Sequence, residues 1–366
     1  MRRRLGALIA ASAIALVLAG CSGSAAQTAD TSAAVDTTPL TQLDDILSDP
    51  KSYQGPSTAV MADAAVEVVD ADRTQTLPAT VTSHDQAGDT QVTVTDTSRV
   101  IAMDLAGSLA ATVWGLGFGD TLVGRDVSTT FEGTEDLPLV TSDGHTVNAE
   151  AIIALKPTLV ITDGSIGPRD VIEQLRDVGI TVVTVANTAS FDGAAQLARD
   201  VGAVFGAVTA GEALADLISA QVDAEIADIA SIAPAEEGDR LRIVFLYLRG
   251  SAGIYYLFGA GSGADQLIDA LGGIDVATEM GWDGMKPMTD EAMVAADPDL
   301  ILVMTDGLAS VGGVDGLLQD KPAIAITTAG QNRRFVDMAD GQILSFGPRS
   351  AAVLDALARA IYAPGS

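Results

Sequence analysis

The chain has 366 residues, 48% of them hydrophobic, with a mean hydropathy of +0.32, so it is long and apolar enough to bury two domain cores. Its formal charge of -29 gives a surface that repels nucleic acid and anionic lipid. One cysteine and two histidines exclude disulfides, the usual Cys/His zinc clusters and most histidine-based catalytic machinery.

In chain order, Met1-Arg-Arg-Arg4 and the apolar run Leu5–Leu18 have the layout of an export signal over residues 1–20. The run is shorter than the roughly 20 apolar residues that cross a membrane. It ends in Leu18-Ala-Gly-Cys21, which is similar to a lipobox; Cys21 would then be diacylated, and two acyl chains suffice for stable anchoring. Residues 21–48 are Ser, Thr, Ala and Asp with few large apolar groups, the composition of a disordered tether. Residues 49–97 carry little periodicity and are expected as an extension ahead of the first lobe. Within them Ala79–Ser83 and Gln91–Thr95 flank an Asp-Gln-Ala-Gly turn that fits a hairpin.

A first lobe is expected over residues 98–206. Its core is the block Glu150-Ala-Ile-Ile-Ala-Leu-Lys-Pro157, a short Ala-rich helix capped by Asn148 and broken by proline, followed by the apolar strand Leu159-Val-Ile-Thr and Asp163-Gly164. The same pattern returns far downstream: Thr289 as cap, Glu291 in the first turn, Pro298 at the same distance, then Leu300-Ile-Leu-Val-Met and Asp306-Gly307. Continuous Val/Ile/Leu runs suit strands covered on both faces of a parallel sheet. One αβ unit occurring twice implies two lobes of like construction. Between them, residues 207–232 form one amphipathic helix with Leu214, Leu217, Ile218, Val222, Ile226 and Ile229 on one face. The second lobe occupies residues 233–366. The fold class is therefore α/β, with two Rossmann-like lobes, each a small, mostly parallel sheet flanked by helices, joined by one long backbone helix.

From Arg99 to about residue 364 the order of landmarks resembles a family: Arg99-Val-Ile-Ala-Met-Asp104, Asn148-Ala-Glu150, Leu155-Lys-Pro157-Thr-Leu-Val and Asp297-Pro-Asp-Leu-Ile-Leu302. They are similar to the helical-backbone substrate-binding proteins of ABC importers, which carry siderophores, cobalamin or heme. Heme-binding members are similar here in a histidine before the first Asn-x-Glu helix, matched by His145, and a Tyr-x-Arg on the second lobe's first strand, matched by Tyr247 and Arg249. The resemblance implies that His145 and Tyr247 ligate heme iron from opposite lobes, with Arg249 supporting Tyr247. The chemistry agrees: ferric iron favours an anionic oxygen, tyrosine is an established heme ligand, and an adjacent cation favours the phenolate. Tyr255, Tyr256, Met280, Trp282, Met285 and Met288 are candidate walls for the flat ligand.

Glu150 and Glu291 hold matching first-turn positions, where a carboxylate complements the helix dipole. In the family such residues dock onto a permease, and two equivalent charges suit a two-fold permease homodimer with its ATPase. The implied protein is a monomeric carrier, not an enzyme. It would be held at the outer face of the cytoplasmic membrane by the lipid on Cys21 alone, with a surface heme donor as a further candidate partner and no nucleic acid. Two alternatives remain open. One is a ferric siderophore or cobalamin carrier of the same class. The other is an exported dinucleotide enzyme, since Gly259-Ala-Gly261-Ser-Gly263-Ala264 is a loose dinucleotide fingerprint.

Overall fold

Residues 37–142 and 144–365 are described by a computed structural model. The export signal and Cys21 lie outside the described residues. Among the described residues, no helix is long and apolar enough to cross a membrane.

The first lobe's sheet has four parallel strands in the order Leu122–Gly124, Val100–Met103, Leu159–Thr162, Thr181–Thr184. The second lobe's sheet has seven. Its parallel centre runs Phe335–Met338, Leu300–Met304, Arg242–Arg249, and it continues through the antiparallel strands Ile254–Phe258 and Met285–Pro287. The short strand Ile274–Asp275 pairs with the start of Arg242–Arg249. Both sheets bury apolar side chains on two faces, which is why their strands read as unbroken hydrophobic runs.

The repeated blocks adopt one local design. Asn148 accepts a hydrogen bond from the Ala151 amide at 3.1 Å and Thr289 one from Ala292 at 3.2 Å, satisfying the first free amides of helices Ala149–Leu155 and Asp290–Ala296. Each helix ends on a left-handed residue, Lys156 (φ 49°) and Asp297 (φ 37°), just before its proline. These two helices cover the outer sheet faces, where separate clusters form around Ile101, Ile152 and Val160 in one lobe and Leu246, Met293 and Ile301 in the other.

The inner faces share a single core. It runs from Val100, Leu109 and Leu159 through the linking helix Val208–Ile232 to Phe245, Leu300 and the final helix Ser350–Tyr362. Leu214, Ile218, Val222 and Ile229 of the linking helix are buried in it, and Leu217 and Ile226 pack partly against it. At about 1.5 Å per residue the helix extends roughly 37 Å.

The amino-terminal region departs from the sequence reading in two places. Residues 37–48 fall within the expected disordered tether, yet Leu40 is only 2% exposed in the shared core, and the Leu47 amide bonds to the Tyr362 carbonyl at 2.8 Å. One well-placed leucine in a polar segment is enough to dock it. Ser57–Ala59, part of the expected extension to the first lobe, instead adds a parallel strand to the second lobe's sheet beside Phe335–Met338. The fully buried Arg334 pins this strand by donating to Ser57 Oγ and to the carbonyls of Ala360 and Ile361. From there the chain crosses to the first lobe. The Val69 amide bonds to the Gly115 carbonyl and the Thr76 amide to Gly206. The antiparallel pair Ala79–Asp85 and Gly88–Val94 then packs on strand Thr181–Thr184, held by Thr184 N to Ser83 Oγ and by the Arg176–Asp85 ion pair.

Candidate functional site

Strand Arg242–Arg249 carries the two second-lobe residues singled out by sequence. Alternation along a strand puts Phe245, Tyr247 and Arg249 on one face. Register places Tyr256 opposite Tyr247 and Phe258 opposite Phe245, so these rings form one patch: Phe258 lies 5.0 Å from Phe245 and 6.0 Å from Tyr247, centroid to centroid. Met285 pairs with Phe258 and shares that face, with 62% of its surface exposed. Met304 packs beside them. The patch lies at the carboxyl ends of parallel strands, where ligands of open α/β sheets bind.

Arg249 is held on three sides. Its guanidinium carbon sits 4.7 Å from the Tyr247 ring centroid, Nη1 donates to the Leu248 carbonyl at 2.9 Å, and Nη2 pairs with Asp340 at 2.5 Å. A β-carbon at Gly307 would come within 2.8 Å of the Leu248 carbonyl and 3.0 Å of Nη1, so the Asp306-Gly307 end of the second block leaves the space Arg249 uses. Arg249 therefore stacks on the tyrosine and pairs with Asp340 rather than reaching the phenol oxygen.

His145 comes from the first lobe, on the turn between Thr141–Ser142 and Thr146–Val147, and the positive φ of Gly144 (82°) makes that turn. The imidazole is half-buried, and its Nδ1 has no hydrogen-bond partner among the described residues. Burial, followed by repulsion from Arg249, lowers its pKa, while Asp340 acts in the opposite sense. Arg249 and Asp340 are second-lobe residues, so the two lobes bring these three side chains within electrostatic reach. A depressed pKa keeps the imidazole neutral near pH 7 with a lone pair free to bind a metal.

The other candidate residues divide. Tyr256 and Met285 share the Tyr247 face. Tyr255 does not: it pairs with Leu248 and packs into the outer cluster with Trp282 and Met288, and Lys321 lies 3.9 Å from its ring centroid. Burial, then the Asp320 charge, raises its phenol pKa, which disfavours the ligating phenolate. Tyr255, Trp282 and Met288 are thus wall candidates by sequence that the structure assigns to the packing beneath helix Asp290–Ala296; adjacent strand residues must face opposite sides. Met280 is exposed. Glu150 and Glu291 are exposed in the first turns of their helices.

Sequence reasoning missed Met304 and Asp340. Met304 becomes a neighbour of Tyr247 only through the register between Leu300–Met304 and Arg242–Arg249, and Asp340 follows a strand with no motif around it. Leu105 and Val127, both exposed, were also unmarked. They flank the junction where a β-carbon at Gly107 of the same lobe or at Gly341 of the other would come within 3 Å of the Ser128 carbonyl oxygen.

The Gly-rich loop does not offer a phosphate cradle. The amides of Gly261 and Gly263 both donate to the Asp265 carboxylate, at 2.9 and 3.0 Å, so an internal anion already occupies them.

Known proteins share this architecture. The crystal structure of the heme binding protein HmuT is 39% identical, and its match covers 86% of this chain and 99% of HmuT with a TM-score of 0.78. Further HmuT structures carry an arginine, a tyrosine or a histidine replaced by alanine. The apo form of the periplasmic heme-binding protein RhuT from Roseiflexus sp. RS-1 is 35% identical, covering 74% of this chain and 100% of RhuT with a TM-score of 0.66. The uncharacterized ABC transporter substrate-binding lipoprotein YvrC of Bacillus subtilis is 28% identical over 293 residues, 79% of this chain and 87% of YvrC. The periplasmic binding protein family model matches residues 104–340. This chain belongs to the periplasmic binding protein family.

Proposed function

We propose that this chain is a lipid-anchored receptor on the outer face of the cytoplasmic membrane that binds heme between its lobes and delivers it to an ABC permease. The observation that carries the reading is an imidazole from one lobe, its Nδ1 without a hydrogen-bond partner among the described residues, within electrostatic reach of the arginine that stacks on a tyrosine of the other. Ferric heme takes an anionic oxygen and an imidazole as axial ligands. Tyr247 supplies the first and His145 the second, while Tyr256, Met285 and Met304 offer apolar surface to the porphyrin. The substituted residue types in HmuT are the same three, and its tyrosine and arginine lie two positions apart, as Tyr247 and Arg249 do. The membrane attachment rests on the sequence around Cys21. Delivery rests on Glu150 and Glu291, one exposed carboxylate at the same place in each lobe.

Hemin titration of residues 22–366, followed by visible absorption, tests the ligand. Wild type is expected to take up hemin with a Soret band that survives gel filtration. Tyr247→Ala is expected to lose about tenfold more affinity than His145→Ala, because it removes the charged ligand. Undiminished binding in both variants contradicts the reading, and a protein that ignores hemin but retains a ferric siderophore or cobalamin belongs to the alternative cargo class.

A further inference from the structure

Asp340 is the one carboxylate bonded to the Arg249 guanidinium among the described residues, and it is itself fixed. Its Oδ2 receives Nη2 of Arg249 at 2.5 Å, and its Oδ1 receives the backbone amide of Asp306 at 2.9 Å. The amide belongs to the end of the second repeated block, so the carboxylate links that block to Arg249. Nη1 is anchored separately on the Leu248 carbonyl, and the guanidinium plane then rests on the Tyr247 ring. Among the described residues nothing else grips Arg249 firmly: its remaining hydrogen-bond contact is the Met304 sulfur at 4.0 Å, a weak acceptor. Without the carboxylate, a flexible arginine with a single backbone bond would not stay over the ring, because holding it costs side-chain entropy. The ring position decides where the phenol oxygen stands relative to His145.

We propose that Asp340 is a positioning residue for heme binding: it holds Arg249 stacked on Tyr247 and thereby fixes where the tyrosine oxygen would meet a heme iron. The inference rests on the heme reading above. Asp340 acts through Arg249 and touches neither ligand residue by a hydrogen bond. Outer partners of metal ligands are worth about 10- to 100-fold in affinity.

The test is a double-mutant cycle on residues 22–366 with hemin as the probe. Asp340→Ala is expected to lower hemin affinity by about tenfold and to shift the long-wavelength tyrosinate-to-iron absorption band. Asp340→Asn keeps an oxygen acceptor in the same place and is expected to stay closer to wild type than to the alanine variant in both readouts. In an Arg249→Ala background, Asp340→Ala is expected to change nothing further. Thermal unfolding monitors each variant; should Asp340→Ala fail to fold, Asp340→Ser removes both carboxylate oxygens while keeping a polar side chain, with the same expectations. An equal loss in the Arg249→Ala background, or an unchanged affinity and band in Asp340→Ala, overturns the inference. If wild type binds hemin and loses it on Tyr247→Ala, only the role of Asp340 has failed; if wild type does not bind hemin, the heme reading and this inference fall together.

Discussion

Glu225 sits on the linking helix against the final helix, and its Oε1 is buried without a partner among the described residues. Burial, then repulsion from Asp355 and Asp228, pushes its pKa up to about 7, with Arg359 acting in the opposite direction. The folded chain thus holds this proton more tightly than the unfolded chain, whose glutamate titrates near the ordinary 4.5. Stability attributable to this group is lost as pH rises from 4.5 through about 7, and the loss is complete above that. Glu225→Gln is therefore expected to unfold at a higher temperature than wild type at pH 8 and at the same temperature at pH 4.5, as read by thermal melts. A gain of equal size at both pH values contradicts this origin. At the same scale, His145, Tyr247 and Arg249 drew attention through the resemblance to heme-binding members, whose matching features are local in sequence: a histidine before the first Asn-x-Glu helix, and a Tyr-x-Arg on a strand. Asp340 and Met304 were not, since what makes them neighbours of Arg249 and Tyr247 is strand register across long sequence separations.

Among the elements, the linking helix and helix Phe191–Val204 approach each other backbone to backbone. A β-carbon at Gly202 would stand 2.6 Å from the Gly211 α-carbon and 3.0 Å from its amide nitrogen. Gly202→Ala must therefore push the helices apart, at a cost of about 1–3 kcal/mol in stability, measurable as a lower denaturant midpoint with an unchanged slope. A midpoint equal to wild type contradicts the close packing. The helices themselves were easy to read, because amphipathic spacing and the Asn148 and Thr289 caps are local signals. Both sheets' central strands were equally plain as apolar runs. What escaped was the amino-terminal crossing between lobes. Ser57–Ala59 is three small residues with no periodicity, and its place beside Phe335–Met338 is set by Arg334, more than 270 positions away. The two faces of strand Ile254–Phe258 show the same limit: Tyr255 and Tyr256 are equivalent as letters, and only pairing with Arg242–Arg249 separates the ring in the outer packing from the ring beside Tyr247.

On the scale of the whole molecule, two lobes share one inner core and a single linking helix, and the repeated blocks present Glu150 and Glu291 at equivalent outer positions. If those carboxylates dock the carrier on a two-fold permease, the double substitution Glu150→Ala, Glu291→Ala is expected to leave hemin affinity unchanged and abolish growth on hemin as sole iron source. Normal growth would leave the glutamates with only their helix-dipole role, worth about 0.3–1 kcal/mol each. The repeat was visible in the sequence from its caps and prolines alone, and it foretold the two-lobe plan; the approach of His145 to Arg249 and Asp340 needed the fold. The proposal at the centre is that an imidazole and a phenolate from opposite lobes grip one iron. Anomalous diffraction at the iron edge from crystals of the hemin-loaded protein measures this directly. The account predicts one iron peak within bonding distance of both the Tyr247 oxygen and a His145 ring nitrogen; a peak bonded to neither side chain would contradict it.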